Sequence, residues 1–344
     1  MSEVLSKREI EVLESVIKTF IQKARPVGSR FVSKNYNYEI SPATIRNVMM
    51  DLEEKGFITQ PHTSAGRIPT DKGYRYYVDG LMGIEDLSSG EKQEIQKDLR
   101  RLNNTVESIL DKSCKGLSKI SNLIGIVLSP RFYSGKLKKI DVVKINENIL
   151  MVILSIESGL VKTITMELKH QIKSNVLEET VRVLNERLHD LTLKEIQDTI
   201  SNRMRDISLE DEDLIQQFVN SADKLFVIEN EHIHLGGTKN LMNQPEFTDR
   251  QKLETILELI DDQKVLIHKL NDYNDDDDIT IMIGSENQEE KMRECSLVTA
   301  KYKIGSVYGT LGVIGPTRMN YPKMISLVDY LAKEIGNTFD LNYS

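Results

Sequence analysis

The chain has 344 residues, with 45 Lys and Arg against 53 Asp and Glu, a net charge of −8 and 39% hydrophobic residues. This length predicts two or three domains, and a 28% charged fraction with regular apolar spacing is typical of a folded globular protein, which excludes a largely disordered chain. No apolar run reaches the ~18 residues of a membrane span, and the N-terminal stretch lacks the apolar segment of a signal peptide. We therefore expect a cytoplasmic protein with no membrane partner.

The acidic total does not describe every part of the chain. Residues 1–80 contain 12 basic and 10 acidic side chains, so this segment carries +2 while the remainder carries −10. Charge asymmetry between two parts of a chain is a hint of a nucleic-acid-binding module, although +2 alone is a weak one. The placement of the charges decides whether DNA is a partner.

The first two predicted elements are short helices. Ser6 and Glu9 have the spacing of a capping box, and apolar residues then recur at steps of three and four as far as about Lys23. A second helix is expected to run to about Asn35, with Ser29 as its cap.

The third predicted helix starts at Ser41-Pro42, a cap followed by a residue suited to the first helical position, and ends near Gly56. Its buried stripe is expected to contain Ile45, Val48, Met49 and Leu52. The opposite face contains Ala43, Arg46, Asn47 and Met50, with Thr44 at its margin. Three short helices, of which the third exposes a face of small, arginine and asparagine side chains, are typical of a helix-turn-helix.

The residue types on this face suit a DNA groove. Arg46 can donate two hydrogen bonds to guanine, and Asn47 can bond adenine in the same bidentate way. Small and hydroxyl side chains at a helix entry allow close approach to phosphates or base edges. The residues expected at the helix entry are Ser41, Ala43 and Thr44, and those expected at phosphates are Ser29 and Arg30. The alternative is that Arg46 and Asn47 form an ordinary solvated helix face.

A β-hairpin is predicted next. Residues 57–60 and 68–70 form two short strands around a loop that contains Gly66. The loop contains Arg67, with His62 and Thr63, and no acidic residue stands near them in the sequence. Arg67 on a glycine-hinged wing suits a phosphate or minor-groove contact, which would make the segment a winged helix-turn-helix. The alternative is a hairpin with no role in binding.

These stretches resemble the HrcA family of bacterial heat-shock repressors. The matching segments are Arg25–Ser29, Ser41–Asn47, Gln60–Thr70 and Gly73–Asp79, together with Ile314–Tyr321 near the other end of the chain. The resemblance implies a homodimeric repressor of chaperone operons that binds an inverted-repeat operator of the CIRCE type. It also implies a winged-helix domain followed by a GAF-like domain with an inserted dimerisation domain, and activity maintained by the GroE chaperonin.

The rest of the chain predicts an α+β organisation. Residues 85–121 are expected to be a linker and a connecting helix, which either pairs with its copy in a dimer or packs on its own domain. Strands, then helices, then strands again predict an antiparallel sheet interrupted by an insertion. The predicted domains are 1–84, the winged helix-turn-helix; 122–171 with 248–344, the GAF-like domain; and 172–247, the inserted helical and hairpin domain.

Catalytic and metal motifs are absent from the sequence, and we expect neither an enzyme nor a cofactor. His232 and His234 lie on one side of a predicted hairpin, as metal ligands can, but no third ligand stands nearby, which favours a polar hairpin. Cys114 and Cys295 are too few for a four-thiolate zinc site and are expected to be buried. A second hypothesis for function is a regulator whose GAF-like domain senses a metabolite, which requires a pocket with convergent polar groups.

Overall fold

The computed structural model describes residues 5–35, 41–63, 65–99, 106–130, 135–157, 159, 161–207, 212–226, 232–272 and 278–343. No helix within these ranges is long and apolar enough to cross a membrane.

The N-terminal segment folds as three helices, a two-stranded hairpin and a closing helix. The elements are α1 (Lys7–Lys23), α2 (Ser29–Asn35), α3 (Pro42–Glu54), β1 (Ile58–Thr59), β2 (Ile68–Pro69) and α4 (Asp71–Gly80). The predicted capping box is present, because the Ser6 N–H donates to Glu9 Oε2 at 2.7 Å and the Glu9 N–H donates to Ser6 Oγ at 3.4 Å. The order of three helices, a hairpin and a closing helix matches the elements predicted for this segment, and we call residues 5–80 the winged unit.

One predicted cap in the winged unit is wrong. Ser29 is the first residue of α2 and not its cap. The residue before it takes that position, since the Gly28 carbonyl accepts the N–H groups of Phe31 and Val32 at 2.9 and 3.2 Å. Ser29 keeps a half-buried side chain at the start of the helix.

The remaining elements follow in chain order. The helices are α5 (Ser89–Leu99), α6 (Val106–Ser121), α7 (Ser174–Leu188), α8 (Leu193–Arg203), α9 (Glu212–Asn220), α10 (Ala222–Leu225), α11 (Arg250–Asp261), α12 (Gln263–Asp272) and α13 (Tyr321–Tyr343). The strands are β3 (Ile124–Leu128), β4 (Leu137–Asn146), β5 (Ile149–Ile156), β6 (Val161–Glu167), β7 (Ile233–Gly236), β8 (Ile279–Ile283), β9 (Cys295–Ile304) and β10 (Val307–Pro316).

A five-stranded antiparallel sheet forms the centre of the molecule, in the order β7-β3-β10-β9-β8. Alternate residues along its strands enter two different cores, as the period of two in a strand requires. Val298 and Ala300 of β9 face a core shared with α6, α13 and the winged unit, whereas Leu297 faces a core shared with α11 and α12. Both faces of the central sheet are thus covered, in keeping with the α+β class and the predicted antiparallel sheet.

The segment 85–121 packs on its own chain. The described part of it contains two helices, and α6 packs against β3, β7 and α13. Ile109 and Leu117 are buried in the core that includes the winged unit. The predicted apolar helical face is confirmed at these positions. Of the two alternatives for this helix, the structure shows packing on its own chain.

A second sheet separates three predicted strands from the central sheet. Among the described residues, strands β4, β5 and β6 pair only with one another, and their buried face packs against α7, α8, α9 and α10 in a separate hydrophobic core. The expectation that residues 122–171 belong to one sheet with 248–344 is therefore wrong for these three strands. We infer that the insertion begins after β3 and ends before β7, rather than spanning 172–247.

Two other predicted elements differ from the structure. The sequence pattern around His232 predicts a hairpin of Leu225–Glu229 with His232–Leu235. Leu225 lies in α10 instead, and residues 227–231 lie outside the described part. Strand β7 instead pairs with β3 in the central sheet, with His234 opposite Val127. The apolar spacing of residues 249–272 predicts one helix, whereas the structure divides this range at Asp262 into α11 and α12.

The contact between α5 and α13 predicts a pH-dependent contribution to stability. Lys323 Nζ lies 2.6 Å from Glu91 Oε1, and this bond, together with two bonds from Ser88, lowers the pKa of the Glu91 carboxyl to about 2. A carboxyl with a lowered pKa stabilises the fold above its ordinary pKa near 4.5, and the contribution disappears as the pH falls from there towards 2. We expect Glu91→Gln to cost about 1 kcal/mol of unfolding free energy at pH 7, since partial exposure weakens the pair.

Urea unfolding of wild type and Glu91→Gln at pH 7, 5 and 3 checks this expectation. The difference in unfolding free energy should be present at pH 7 and 5 and should shrink at pH 3. A difference that stays the same at all three pH values would show that the variant acts through packing and not through charge.

Candidate nucleic-acid interface

Helix α3 is fixed by its cap and its buried stripe. The Thr44 N–H donates to Ser41 Oγ at 3.2 Å, and Pro42 occupies the first helical position. Ile45 and Leu52 are fully buried, and Val48 and Met49 lie with them in the core of the winged unit. This packing holds the opposite face of α3 towards solvent.

The exposed face of α3 contains the residues predicted for base contacts. Ala43, Arg46, Asn47 and Met50 are all exposed, and their spacing of three and four places them on one side of the helix. At 1.5 Å per residue, Ala43 and Met50 are about 10 Å apart along the axis, which is about three base-pair steps. Met50 belonged to the predicted face without an assigned role, and its exposed apolar side chain suits the methyl group of thymine.

The start of α3 is already engaged in capping. Ser41 Oγ lies 3.0 Å from Thr44 Oγ1 and also accepts the Thr44 N–H, so both hydroxyls are oriented by the chain itself. Thr44 is half-buried, whereas Ser41 and Ala43 are exposed. Arg30 of α2 is also exposed, so these predicted contact residues, apart from half-buried Ser29 and Thr44, have accessible side chains.

The wing is held by bonds within its own loop. Gln60 Nε2 donates to the carbonyls of Thr63 and Ala65, both at 2.9 Å, and His62 and Thr63 are exposed at the tip. Gly66 has a steric role, because a Cβ at this position would lie 2.5 Å from the Val27 carbonyl. The loop therefore presents its tip to solvent while its base lies against the segment between α1 and α2.

Arg67 departs from the sequence prediction. Its Nη2 lies 2.7 Å from Glu53 Oε2 in the last turn of α3, so the expectation that no acid lies near the wing arginine is wrong. The Arg67 side chain is only 16% exposed, and its backbone pairs with Val27 at 2.8 and 2.9 Å. Its Nε is buried and has no hydrogen-bond partner among the described residues. The guanidinium thus links the wing to α3.

A second acidic residue of the winged unit, Glu9 of α1, is bound by Lys55 just after the end of α3. Its carboxylate accepts a bond from Lys55 at 2.5 Å, which lowers the pKa of Glu9. The sequence does not reveal the pair of Glu53 with Arg67, since the two residues stand on different elements and no local pattern joins them.

The pair of Arg67 and Glu53 makes a prediction about salt dependence. Removing the Glu53 charge frees a cation beside the exposed face of α3, so Glu53→Gln should bind operator and unrelated DNA more tightly. One added phosphate contact makes the fall of log affinity with log salt steeper by about 0.9. The gain in affinity of Glu53→Gln over wild type should therefore shrink by about 3.5-fold between 50 and 200 mM salt.

Fluorescence anisotropy at the two salt concentrations measures this effect, and Glu54→Gln is the matched control because it makes the same charge change one residue further on. A general electrostatic effect would alter both variants alike. Weaker binding by Glu53→Gln alone would show instead that the ion pair supports the wing.

Other candidate chemistry is sparse in the described residues. They contain no group of three or more His, Cys, Asp or Glu that could hold a metal ion. The rings of His232 and His234 lie 4.9 Å apart, and burial, with the neighbouring His232, lowers the pKa of His234. Cys114 and Cys295 are buried, as predicted, and burial raises the pKa of each thiol to about 12.

Comparison with known proteins identifies the family. A family model described as the HrcA protein C terminal domain matches residues 107–325. The heat-inducible transcription repressor HrcA of Chlorobium phaeobacteroides (strain BS1) is 38% identical over 348 residues, which cover 97% of this chain and 98% of that protein. The chain belongs to the HrcA family.

Other comparisons agree with membership in the HrcA family. The heat-inducible transcription repressor HrcA of Prosthecochloris aestuarii (strain DSM 271 / SK 413) is 40% identical over 354 residues, covering 98% of this chain and 99% of that protein. A crystal structure of a hypothetical protein at 2.2 Å resolution is 23% identical, with a TM-score of 0.62, and covers 98% of this chain and 100% of the other. At this identity, the likeness to the solved structure shows the fold alone.

Proposed function

We propose that this chain is a sequence-specific transcription repressor that binds an inverted-repeat DNA operator as a homodimer. The observation that carries the proposal is the exposed face of α3, where Arg46 and Asn47 project from a helix whose other side is buried in the winged unit. Family membership supports the same function, since its relatives are named heat-inducible transcription repressors.

The residues of the interface have separate roles in this proposal. Arg46 and Asn47 contact base edges in the major groove, and Met50 contacts a thymine methyl group. The helix entry is formed by Ser41, Ala43 and Thr44, the phosphate contacts by Ser29 and Arg30, and the wing by His62, Thr63 and Arg67. Arg67 acts from the ion pair with Glu53, and not as the free cation that the sequence indicates.

The homodimer is supported by an uncovered face on the second sheet. The face of β4, β5 and β6 opposite the helices contains Val143 and Val161, which are 46% and 61% exposed. Met151 and Ile153 of β5 lie on the same face, beside Thr165 and Thr163 of β6. The same face also carries the exposed ion pair of Lys139 with Asp141, so it is mixed in character. A two-fold dimer uses one surface on both subunits, so this single face is sufficient to join two copies. Two copies of α3 would then contact two half-sites.

The family resemblance supplies the physiological part of the proposal. The operator is of the CIRCE type, the regulated genes encode chaperones, and the GroE chaperonin maintains the repressor in its active state. We expect added GroE chaperonin to raise the fraction of purified protein that binds operator DNA, without changing the affinity of that fraction.

An electrophoretic mobility shift on an inverted repeat and on a scrambled duplex tests the function. At 50 and 200 mM salt, we expect the inverted repeat to be bound in preference to the scrambled duplex, with both affinities falling as salt rises. Equal binding of the two duplexes at each salt concentration would contradict a sequence-specific repressor.

A further inference from the structure

The winged unit is docked on the central sheet by two arginines that belong to neither α3 nor the wing. The first is Arg318, which follows β10 and has a side chain only 12% exposed. Its Nη1 donates to the carbonyl of Ile21 in α1 at 2.8 Å, and its Nε lies 2.6 Å from Glu246. One guanidinium therefore joins the end of α1 to the rest of the protein outside the winged unit, which we call the body.

The second arginine, Arg75, makes the reverse connection from α4 to the body. Its Nε donates to Glu286 Oε1 at 2.7 Å, and Nη2 bonds the other carboxylate oxygen, which gives a bidentate pair. The same Nη2 donates to the Ile281 carbonyl at 2.7 Å. Bidentate arginine–carboxylate pairs fix direction as well as distance, because both groups are planar.

A capped turn lies beside this pair. Asp71 Oδ2 accepts the N–H and the hydroxyl of Ser285 at 2.8 and 2.7 Å. Gly284 before it has φ +52°, and a Cβ there would collide with the Asp71 carboxylate. The turn between β8 and β9 therefore approaches α4 as closely as glycine permits.

Apolar packing fills the space between the two arginine contacts. Tyr74 of α4 and Tyr321 of α13 are buried, with ring centroids 5.8 Å apart. The Tyr321 hydroxyl lies 2.7 Å from Ser296 Oγ of β9, which ties the ring to the central sheet. Directional polar contacts on either side of an apolar centre define one orientation of the winged unit on the body.

We propose that Arg75 and Arg318 are positioning residues that set the distance between half-sites that the repressor accepts. The inference rests on the proposed function, because it concerns two winged units held by one homodimer. Adjacent base pairs are 3.4 Å apart along the duplex, so a small change in docking moves α3 to the neighbouring step. The affinity for one half-site depends on α3 and the wing. The preferred distance between two half-sites depends on the contacts of Arg75 and Arg318.

The test measures half-site affinity and spacing separately on the full chain. Fluorescence anisotropy is recorded with a single half-site and with inverted repeats whose spacer is altered by up to two base pairs either way. The variant is Glu246→Gln/Glu286→Gln, which neutralises both carboxylate partners while keeping their shape. Glu258→Gln is the control, since it removes an exposed pair with Lys291 (3.0 Å) that does not touch the winged unit.

We expect the double variant to bind the half-site within twofold of wild type. Its affinity for the preferred inverted repeat should fall tenfold or more, and its preference among spacers should flatten to less than threefold, while Glu258→Gln retains the wild-type profile. An unchanged spacer profile would overturn the proposal, and so would an equal loss on half-site and full operator. No binding of any duplex by wild type would instead refute the proposed function.

A charge exchange keeps the proposal testable if the double variant fails to fold. Arg75→Glu/Glu286→Arg rebuilds the pair with its charges reversed, whereas Arg75→Glu alone places two carboxylates together. We expect the exchange to restore at least part of the wild-type spacer preference that the single change abolishes. Equal spacer profiles for the single and the exchanged variant would contradict a positioning role.

Discussion

Arg46→Ala should weaken operator binding by about 1–3 kcal/mol, which is about 5- to 150-fold in affinity, and should relax specificity at one base pair. The reason is the position of Arg46 on the exposed face of α3, where a guanidinium can donate two bonds to one guanine. Because the side chain is exposed and the buried stripe lies on the other side of the helix, the variant should retain its fold. Anisotropy on the operator and on duplexes substituted at each half-site position measures the effect.

Arg30→Ala is the matched control for Arg46→Ala. Arg30 is also exposed and is assigned to a phosphate, so its loss should weaken binding of all duplexes alike and reduce the salt slope by about 0.9. A folded Arg46→Ala protein with unchanged specificity would show that Arg46 belongs to a solvated helix face. The two arginines thus separate base recognition from attraction to the backbone.

Val143→Glu/Val161→Glu should convert the proposed homodimer to a monomer and reduce operator affinity by about 100-fold or more. Both side chains lie on the uncovered face of the second sheet, so two added carboxylates would meet their symmetry-related copies across the interface. A monomer binds each half-site independently and loses the gain of about 10²–10⁴ that joining two binding units supplies. Half-site affinity should not change.

Sedimentation velocity and anisotropy on the same samples check the dimer prediction. Met242→Glu is the control, since Met242 is 69% exposed and lies outside the second sheet, in the 3-10 turn Thr238–Asn243. If Val143→Glu/Val161→Glu remained dimeric, the homodimer would have to use a different surface. If it became monomeric with full operator affinity, binding would not require the dimer.

The winged unit was the most predictable part of the fold, because its signals are local. The Ser6–Glu9 capping box, Ser41-Pro42 at the start of α3 and the periodicity of the buried stripe are each contained within a few residues. Such signals are sufficient to place the exposed face of α3 and the residues on it. The helical conformation of residues 106–121 and their apolar face were predictable for the same reason.

Long-range pairing was not predictable from the same patterns. Alternation along β5 indicates one buried face, but the same alternation fits a strand of either sheet, so the sequence could not assign β4–β6 to a sheet of their own. The ion pair of Glu53 with Arg67 joins a helix end to a wing. Its formation depends on how these elements pack, which no local spacing encodes.

The net charge of −8 illustrates the same limit. A total describes the whole chain, whereas binding depends on which charges remain accessible at the interface. Arg46 and Arg30 are exposed, Lys55 is occupied by Glu9, and Arg67 is occupied by Glu53. The exposed side chains of Arg30 and Arg46 therefore matter more for the proposed interface than the charge of +2 on residues 1–80.

In the proposed function, this chain recognises a two-fold symmetric DNA sequence through two copies of α3. Selection of bound duplexes from a random pool, with the purified full chain, tests this claim directly, because the protein itself chooses the sequence that it binds. We expect enrichment of an inverted repeat, with half-site centres separated by a multiple of about 10–10.5 base pairs. Enrichment of a single unrepeated site, or no enrichment over the starting pool, would contradict it.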